Sequence, residues 1–345
     1  MVATVLRLAL LALTAALLAV PARAQTASAP SRGESAARGA TVRPAVAPAS
    51  SRATPFKSAD AIGRWINTYR SKPEPQRLPA LVQAMGQLNM LSDQEASGLY
   101  LGFIGGVLAA NPAAANDLVA RMFPLPPEHH AALIKAVAYS GLPGWRDLLR
   151  QNAERMPSRV VLIDRYVTGR IPALDGLQLD AGPVPLDVLW GNYYATGSYE
   201  PIVRIISVLK WSKNENDVER LTVGSMAKWT LATNASRDVD LLRLLKTGLT
   251  HEPASTERLL NEVIEAAETG ETSKIRKEAL TAIEQLKAKG PANTRNVAWW
   301  GQAGQMALAL GCVTASALGA TAAIGIPCVI GGAASTAALK AWAPQ

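Results

Sequence analysis

The chain has 345 residues, 49% of them hydrophobic, which is enough for one large or two modest domains with a buried core and excludes a wholly disordered protein. Its formal net charge of +8 suggests a nucleic-acid partner only until the charges are located along the chain. Three His and two Cys leave little material for a metal cage, and no cofactor motif is present.

Arg7 precedes an apolar run from Leu8 to Val20, and Pro21 leads into Ala22-Arg23-Ala24, with small residues at the positions a signal peptidase reads. The run is shorter than the roughly 20 residues that span a bilayer, so residues 1–24 are expected to be a secretory leader cleaved after Ala24. The mature chain is then periplasmic or secreted. Residues 25–57 are rich in Ala, Ser, Pro and Arg and poor in large apolar side chains, the composition of a flexible tether. The leader and tether hold most of the excess basic charge, leaving the remainder near neutral with no phosphate-binding stripe, so no nucleic-acid partner is expected.

From Ser58 to about residue 290 the apolar spacing is helical and the breaks are frequent. Ser58 is placed to cap a helix with Ile62, Trp65, Ile66 and Tyr69 on one face. A second helix runs from about Pro75 to Leu88. Ser92 to Glu95 has capping-box spacing for a third that ends at Asn111-Pro112, where Asn111 is placed to cap the next. Pro126-Pro127-Glu128 opens another that stops at Gly141. Arg159 to Val167 fits a helical face better than a strand. Three turn signals mark 168–184 as the longest loop of the body. Beyond it Trp190 and Trp229 are 39 residues apart, and Ile202 to Ile206 aligns with Leu241 to Leu245 in the same register. That period predicts stacked α-hairpins, an all-α, solenoid-like fold.

Leu189 to Glu200 resembles the first helix and turn of a tetratricopeptide motif through Tyr193, Tyr194, Gly197 and Tyr199, over about one repeat, 186–211. Trp190 stands where that family places Gly, Ile202 where it places Ala, and 217–250 keeps only Trp229 and the leucines. The resemblance implies a concave binding surface, with Trp190, Tyr193, Tyr194 and Tyr199 as its binding residues and a protein or peptide of the cell envelope as its partner. It implies no chemistry.

His129 and His130 are adjacent, so on a helix their side chains diverge by about 100° and do not converge on one metal. Each reads as a surface or satisfied core residue, and His251 as a polar neighbour of a helix start. Glu262, Glu265 and Glu268 lie on a charged helix that continues through Lys274, Arg276 and Lys277, read as a solvated face. No nucleophile elbow, phosphate loop or dinucleotide fingerprint is present, so no enzyme is expected; a second alternative, an envelope hydrolase, requires a polar cleft converging on His129 or His130.

No charged side chain occurs between Arg295 and Lys340. Gly304 to Ile326 would make about 34 Å of helix against a hydrocarbon core of about 30 Å, and Trp299, Trp300 and Trp342 bracket the segment as interfacial aromatics do. This segment, 291–345, is either one apolar helix or a helical hairpin. In a continuous helix Cys312 and Cys328 would lie about 24 Å apart, so a disulfide between them requires a turn, for which Gly319 and Gly325 are available. The oxidising compartment favours the stapled hairpin, docked on the body or associated with the membrane. The Gly/Ala segment also resembles membrane-active bacteriocin and glycine-zipper segments, which implies as an alternative a membrane-active or anchored protein working through 302–343.

Overall fold

Ser58 caps the first helix, α1 (Ala59–Tyr69), its hydroxyl accepting from the Ala61 amide at 3.2 Å, and Ile62, Trp65, Ile66 and Tyr69 form the buried face. The computed structural model describes residues 56–92 and 97–288, all of them within one compact unit. The leader, all of the tether before Phe56, most of the Ser92–Glu95 capping box and the whole Cys312/Cys328 segment lie outside the described residues. The body starts slightly before Ser58. Phe56 packs edge-on against Trp65 with ring centroids 5.2 Å apart, and the Arg77 guanidinium lies 4.9 Å from the Phe56 ring.

The fold is all-α, with no strand among the described residues. After α1 come α2 (Leu78–Gln87), α3 (Gly98–Ala110), α4 (Ala115–Arg121), α5 (His130–Ala138), α6 (Trp145–Gln151) and α7 (Val160–Val167). The second half comprises α8 (Val184–Thr196), α9 (Glu200–Ser207), α10 (Val218–Ala235), α11 (Val239–Gly248), α12 (Ala254–Thr269) and α13 (Thr272–Ala288). Several expected starts are tighter than expected. Pro75, Pro112 and Pro127 each open a 3₁₀ turn ahead of the α-helix, and Asn111 sends its side-chain amide back to Val107 O at 2.8 Å and does not cap forward.

Three helices form the interior. In α3 every residue from Gly98 to Leu108 is buried, in α8 every residue from Pro185 to Ala195, and in α10 nearly the whole length. Such helices carry no apolar stripe because they have no solvent face. Helix α3 lies against α8 and α5, while α10 lies against α12, α13 and the 3₁₀ segment Leu209–Lys213. Glycine permits the closest of these approaches. A Cβ at Gly102 would stand 1.9 Å from Val188 O, and one at Gly191 would stand 2.1 Å from Leu99 O, so the α3 and α8 backbones touch directly.

The 39-residue register is visible in the helices. Trp190 and Trp229 lie on α8 and α10, the first helices of two helix-turn-helix pairs, while Ile202 to Ile206 and Leu241 to Leu245 lie on the second helices, α9 and α11. The loop 168–183 contains two 3₁₀ turns, Leu174–Gly176 and Leu179–Ala181, and Arg204 of α9 holds it by donating to Leu174 O at 2.8 Å and Leu177 O at 3.2 Å. The expected continuous charged helix is two, α12 and α13, separated at Gly270, whose φ of +74° lies in the left-handed region.

No single helix among the described residues is long and apolar enough to cross a membrane. Gly98–Ala110 together with Pro112–Arg121 reaches the required length and composition, with a bend of 102° between the two segments.

Candidate functional site

The aromatic residues expected to form a repeat surface face the interior. Trp190 and Tyr193 are 0% exposed and Tyr194 is 4% exposed, and their three rings pack on one another with centroids 5.6 to 6.1 Å apart. Trp190 Nε1 donates to Thr230 Oγ1 at 3.1 Å, tying α8 to α10. Tyr193 donates to Asp238 Oδ2 at 3.1 Å and accepts from Arg70, which also grips Asp238 through two bonds of 2.8 and 3.0 Å. Asp238 is in turn the N-cap of α11. Burial, and then the Asp238 charge, push the Tyr193 phenol well above its usual range. Tyr199 is half-buried, with its hydroxyl against Gly248, the one position where a Cβ would collide with it. These four side chains join elements. Trp190, Tyr193 and Tyr194 present no surface to a partner.

The histidines are also core residues. His129 donates from Nε2 to Gly86 O at 3.1 Å, and His130 from Nε2 to Leu125 O at 2.8 Å, so each ring is oriented by a backbone carbonyl. Ser92 Oγ lies 3.4 Å from His129 Nδ1 but gives its proton to Asn89 Oδ1 at 2.5 Å, so the pair is not set for nucleophilic catalysis. His251 is exposed, its ring 3.2 Å from the Thr250 hydroxyl. Among the described residues no group of His, Cys, Asp or Glu is placed to hold a metal ion.

A cavity of about 370 Å³ lies between α10, α13 and the chain at 212–215. Local sequence builds each wall. Asp217 caps α10 by accepting from the Arg220 amide at 2.9 Å, and Asn214 folds the preceding turn by accepting from the amides of Asn216 and Asp217 at 2.9 and 2.7 Å. Gly224 then lets that turn approach α10, since a Cβ there would stand 2.3 Å from Ser212 N. Ser212 is thereby set beside the turn of α10 that carries Ser225 and Lys228, and all three line the cavity.

The polar groups of α10 and of the segment before it are unevenly satisfied. Thr222 and Thr230, also on α10, give their hydroxyl protons to the carbonyls four residues back, Val218 O at 2.7 Å and Met226 O at 2.9 Å. Ser212 Oγ is buried without a hydrogen-bond partner. Ser225 is 3% exposed and its hydroxyl makes no hydrogen bond among the described residues. The Lys228 ammonium, with 8% of its side chain exposed, is ion-paired with Glu262 of α12, so Glu262 is no mere member of a solvated face. Leu221 of α10 and Ile275 and Leu286 of α13 supply apolar lining.

Compared with protein-family models, curated proteins and solved structures, the chain matches none. Ser225-Met226-Ala227-Lys228 is an S-x-x-K tetrad, the spacing that serine acyl-transfer enzymes use, and i and i+3 on a helix share a face. Here the tetrad sits in mid-helix, where backbone amides are spent on the helical ladder and leave no oxyanion hole, and the Lys228 amine is turned to Glu262 in an ion pair. The arrangement suits binding better than acyl transfer. The sequence held one signal for it: Lys228 is the only charged residue between Leu221 and Ala235.

Proposed function

We propose that this chain is a non-catalytic binding protein of the cell envelope. In this reading residues 1–24 export it, the segment from 25 up to Phe56 tethers it, and the helical pairs serve as a scaffold for a ligand site between α10 and α13. One observation carries the reading: a cavity of about 370 Å³ whose lining joins apolar Leu221, Ile275 and Leu286 to the ion-paired Lys228 and to Ser225, whose hydroxyl makes no hydrogen bond among the described residues. Ligand sites combine a mostly apolar lining with a few convergent polar groups in volumes of about 300–1,000 Å³. Unspent buried hydroxyls cost stability unless something meets them. The expected partner class, a peptide or protein of the envelope, is compatible with a site of this size if a chain end or short segment enters it.

The test is a thermal melt of the mature protein with the low-molecular-weight fraction of a periplasmic extract. The fraction is expected to raise the melting temperature of the parent and to leave Ala282→Trp, which fills the cavity from α13, unchanged. An equal shift in both proteins, or none in either, refutes the reading.

A further inference from the structure

We infer that the surface formed by α7 and the two 3₁₀ turns before it, Ala153–Arg155 and Pro157–Arg159, docks on an anionic lipid membrane. Val160 and Val161 enter the headgroup boundary, and Arg155 and Arg165 engage lipid phosphates. The inference does not depend on the α10–α13 cavity.

Exposure supplies the apolar half of the surface. Helix α7 turns Ile163 and Tyr166 to the core, whereas Val161 is 75% exposed and Val160 is 51% exposed. Among the described residues they are the only exposed large apolar side chains adjacent in the sequence. Val161 shares its helix face with Arg165, four residues on. A lone exposed valine is ordinary, but two together with exposed guanidinium groups at either side in the chain have the composition of a surface that lies at a headgroup boundary.

The charges around the valines are unbalanced. Trp145 to Arg170 contains six arginines, no lysine and three carboxylates. Asp147 is held by Arg150 at 2.6 Å and Asp164 by Arg170 at 3.5 Å. Arg155 and Arg165 are exposed and have no carboxylate partner among the described residues, and Arg146 and half-buried Arg159 add two more such cations. Glu154 is the one carboxylate of this stretch without a cation among the described residues. Arg146 is fixed over the Trp145 ring at 4.5 Å and donates to Val167 O at 3.2 Å, which ties α6 to the end of α7.

The kind of cation and its setting select the partner. A guanidinium presents a planar fork that meets a phosphate through two parallel hydrogen bonds, which an ammonium does not. A free phosphate would satisfy the arginines and leave both valines in water. A lipid surface meets both at once, with phosphates at the level of the guanidinium groups and the acyl boundary beneath them. Residues 25–57 bring five further basic residues against Glu34, the second basic element that stable peripheral binding calls for.

The experiment is sedimentation of the full mature protein with sucrose-loaded vesicles, made of phosphatidylcholine alone or of equal parts phosphatidylcholine and phosphatidylglycerol. The protein is expected to bind the anionic vesicles and not the neutral ones. An arginine near an anionic surface is worth about fivefold in partitioning, so Arg155→Gln combined with Arg165→Gln should lose about 25-fold. Val161→Asp, which replaces the apolar contact with a like charge to the lipid, should lose at least about tenfold. Both variants alter exposed side chains and should melt as the parent does. Val239→Asp, at a comparably exposed valine on α11, should bind as the parent does. No binding to anionic vesicles, equal binding to both kinds, or undiminished binding in either α7 variant overturns the inference. A loss in Val239→Asp as large as in Val161→Asp overturns it as well. Capture by soluble polyglutamate as strong as by the vesicles would identify an acidic protein as the partner and refute the lipid assignment.

Discussion

Replacing Gly102 with Ala tests whether the α3–α8 contact holds the body together. The added methyl would stand 1.9 Å from Val188 O and 2.8 Å from Val188 Cα, where ordinary contact begins at 3.4 Å, and these backbone atoms cannot rotate away as a side chain can. One helix must move, and a radial gap of about 0.5–1 Å already forfeits a quarter to a half of each dispersion contact along the seam. Overpacking of this kind costs about 1–3 kcal/mol, and the rigid obstacle places Gly102→Ala at the upper end. Alanine's better helix propensity returns about 1 kcal/mol. The net loss is about 2 kcal/mol, or a fall of about 4–8 °C in melting temperature for a body of this size. Helical circular dichroism during heating measures it. Gly191→Ala, which meets Leu99 O at 2.1 Å from the other side, should lose a similar amount. Because both substitutions open the same seam, the double variant should lose less than the two losses added. A Gly102→Ala protein melting within about 1 °C of the parent would refute direct backbone contact between these helices.

Thr230→Val leaves the buried Trp190 N–H without its acceptor and should cost about 1–3 kcal/mol in urea denaturation, while Thr230→Ser should restore most of it. Arg204→Ala frees the carbonyls of Leu174 and Leu177, so amide exchange and proteolytic cutting should rise within 168–183 and stay unchanged in α3. At alkaline pH, Tyr69 and Tyr100 should destabilise the fold. Burial, aided by the Glu74 and Asp187 charges, pushes these phenols up to about 12 from the ordinary 10.0. The neutral form is the one the native state favours, so their contribution is complete below pH 10 and declines as pH rises from 10 to about 12, by about 1.4 kcal/mol per pH unit for each residue. Absorbance at tyrosinate wavelengths should therefore increase together with loss of helix; ionisation of these two residues near pH 10 in a fully helical protein would contradict the assignment.

Where a helix lies at the surface, its sequence describes it well. The Ile62, Trp65, Ile66 and Tyr69 stripe, the Ser58 cap and the helical reading of 160–167 all follow from amphipathic spacing and local capping chemistry. Helices α3, α8 and α10 are legible as helices but not as the interior, because a segment apolar on every side has no stripe to orient it. For the same reason Trp190, Tyr193 and Tyr194 read equally well as a binding face or as core, and only the tertiary contacts distinguish the two. The 39-residue spacing marks the correspondence of α8 with α10 and of α9 with α11, yet it is silent on the roles of aligned residues. Arg204 clamps a loop, whereas Arg243, in the same register, pairs with Asp240 of its own helix at 2.9 Å. The cavity was hidden for another reason: its groups come from positions as distant as Ser212 and Leu286, and the S-x-x-K spacing of Ser225 and Lys228 does not tell which distant segments lie beside them.

The burial of α3 on every side bears on how the chain is made. Its Leu99 to Leu108 stretch finds its α8 partner only after about 90 further residues have been synthesised, which takes about 5–20 s at ordinary translation rates. During that interval an apolar helix with no polar side to turn outward is present without its cover. A nascent or truncated chain ending before Val184 should therefore be a strong client for chaperones and proteases, and removing α8 should cost solubility before it costs helix content.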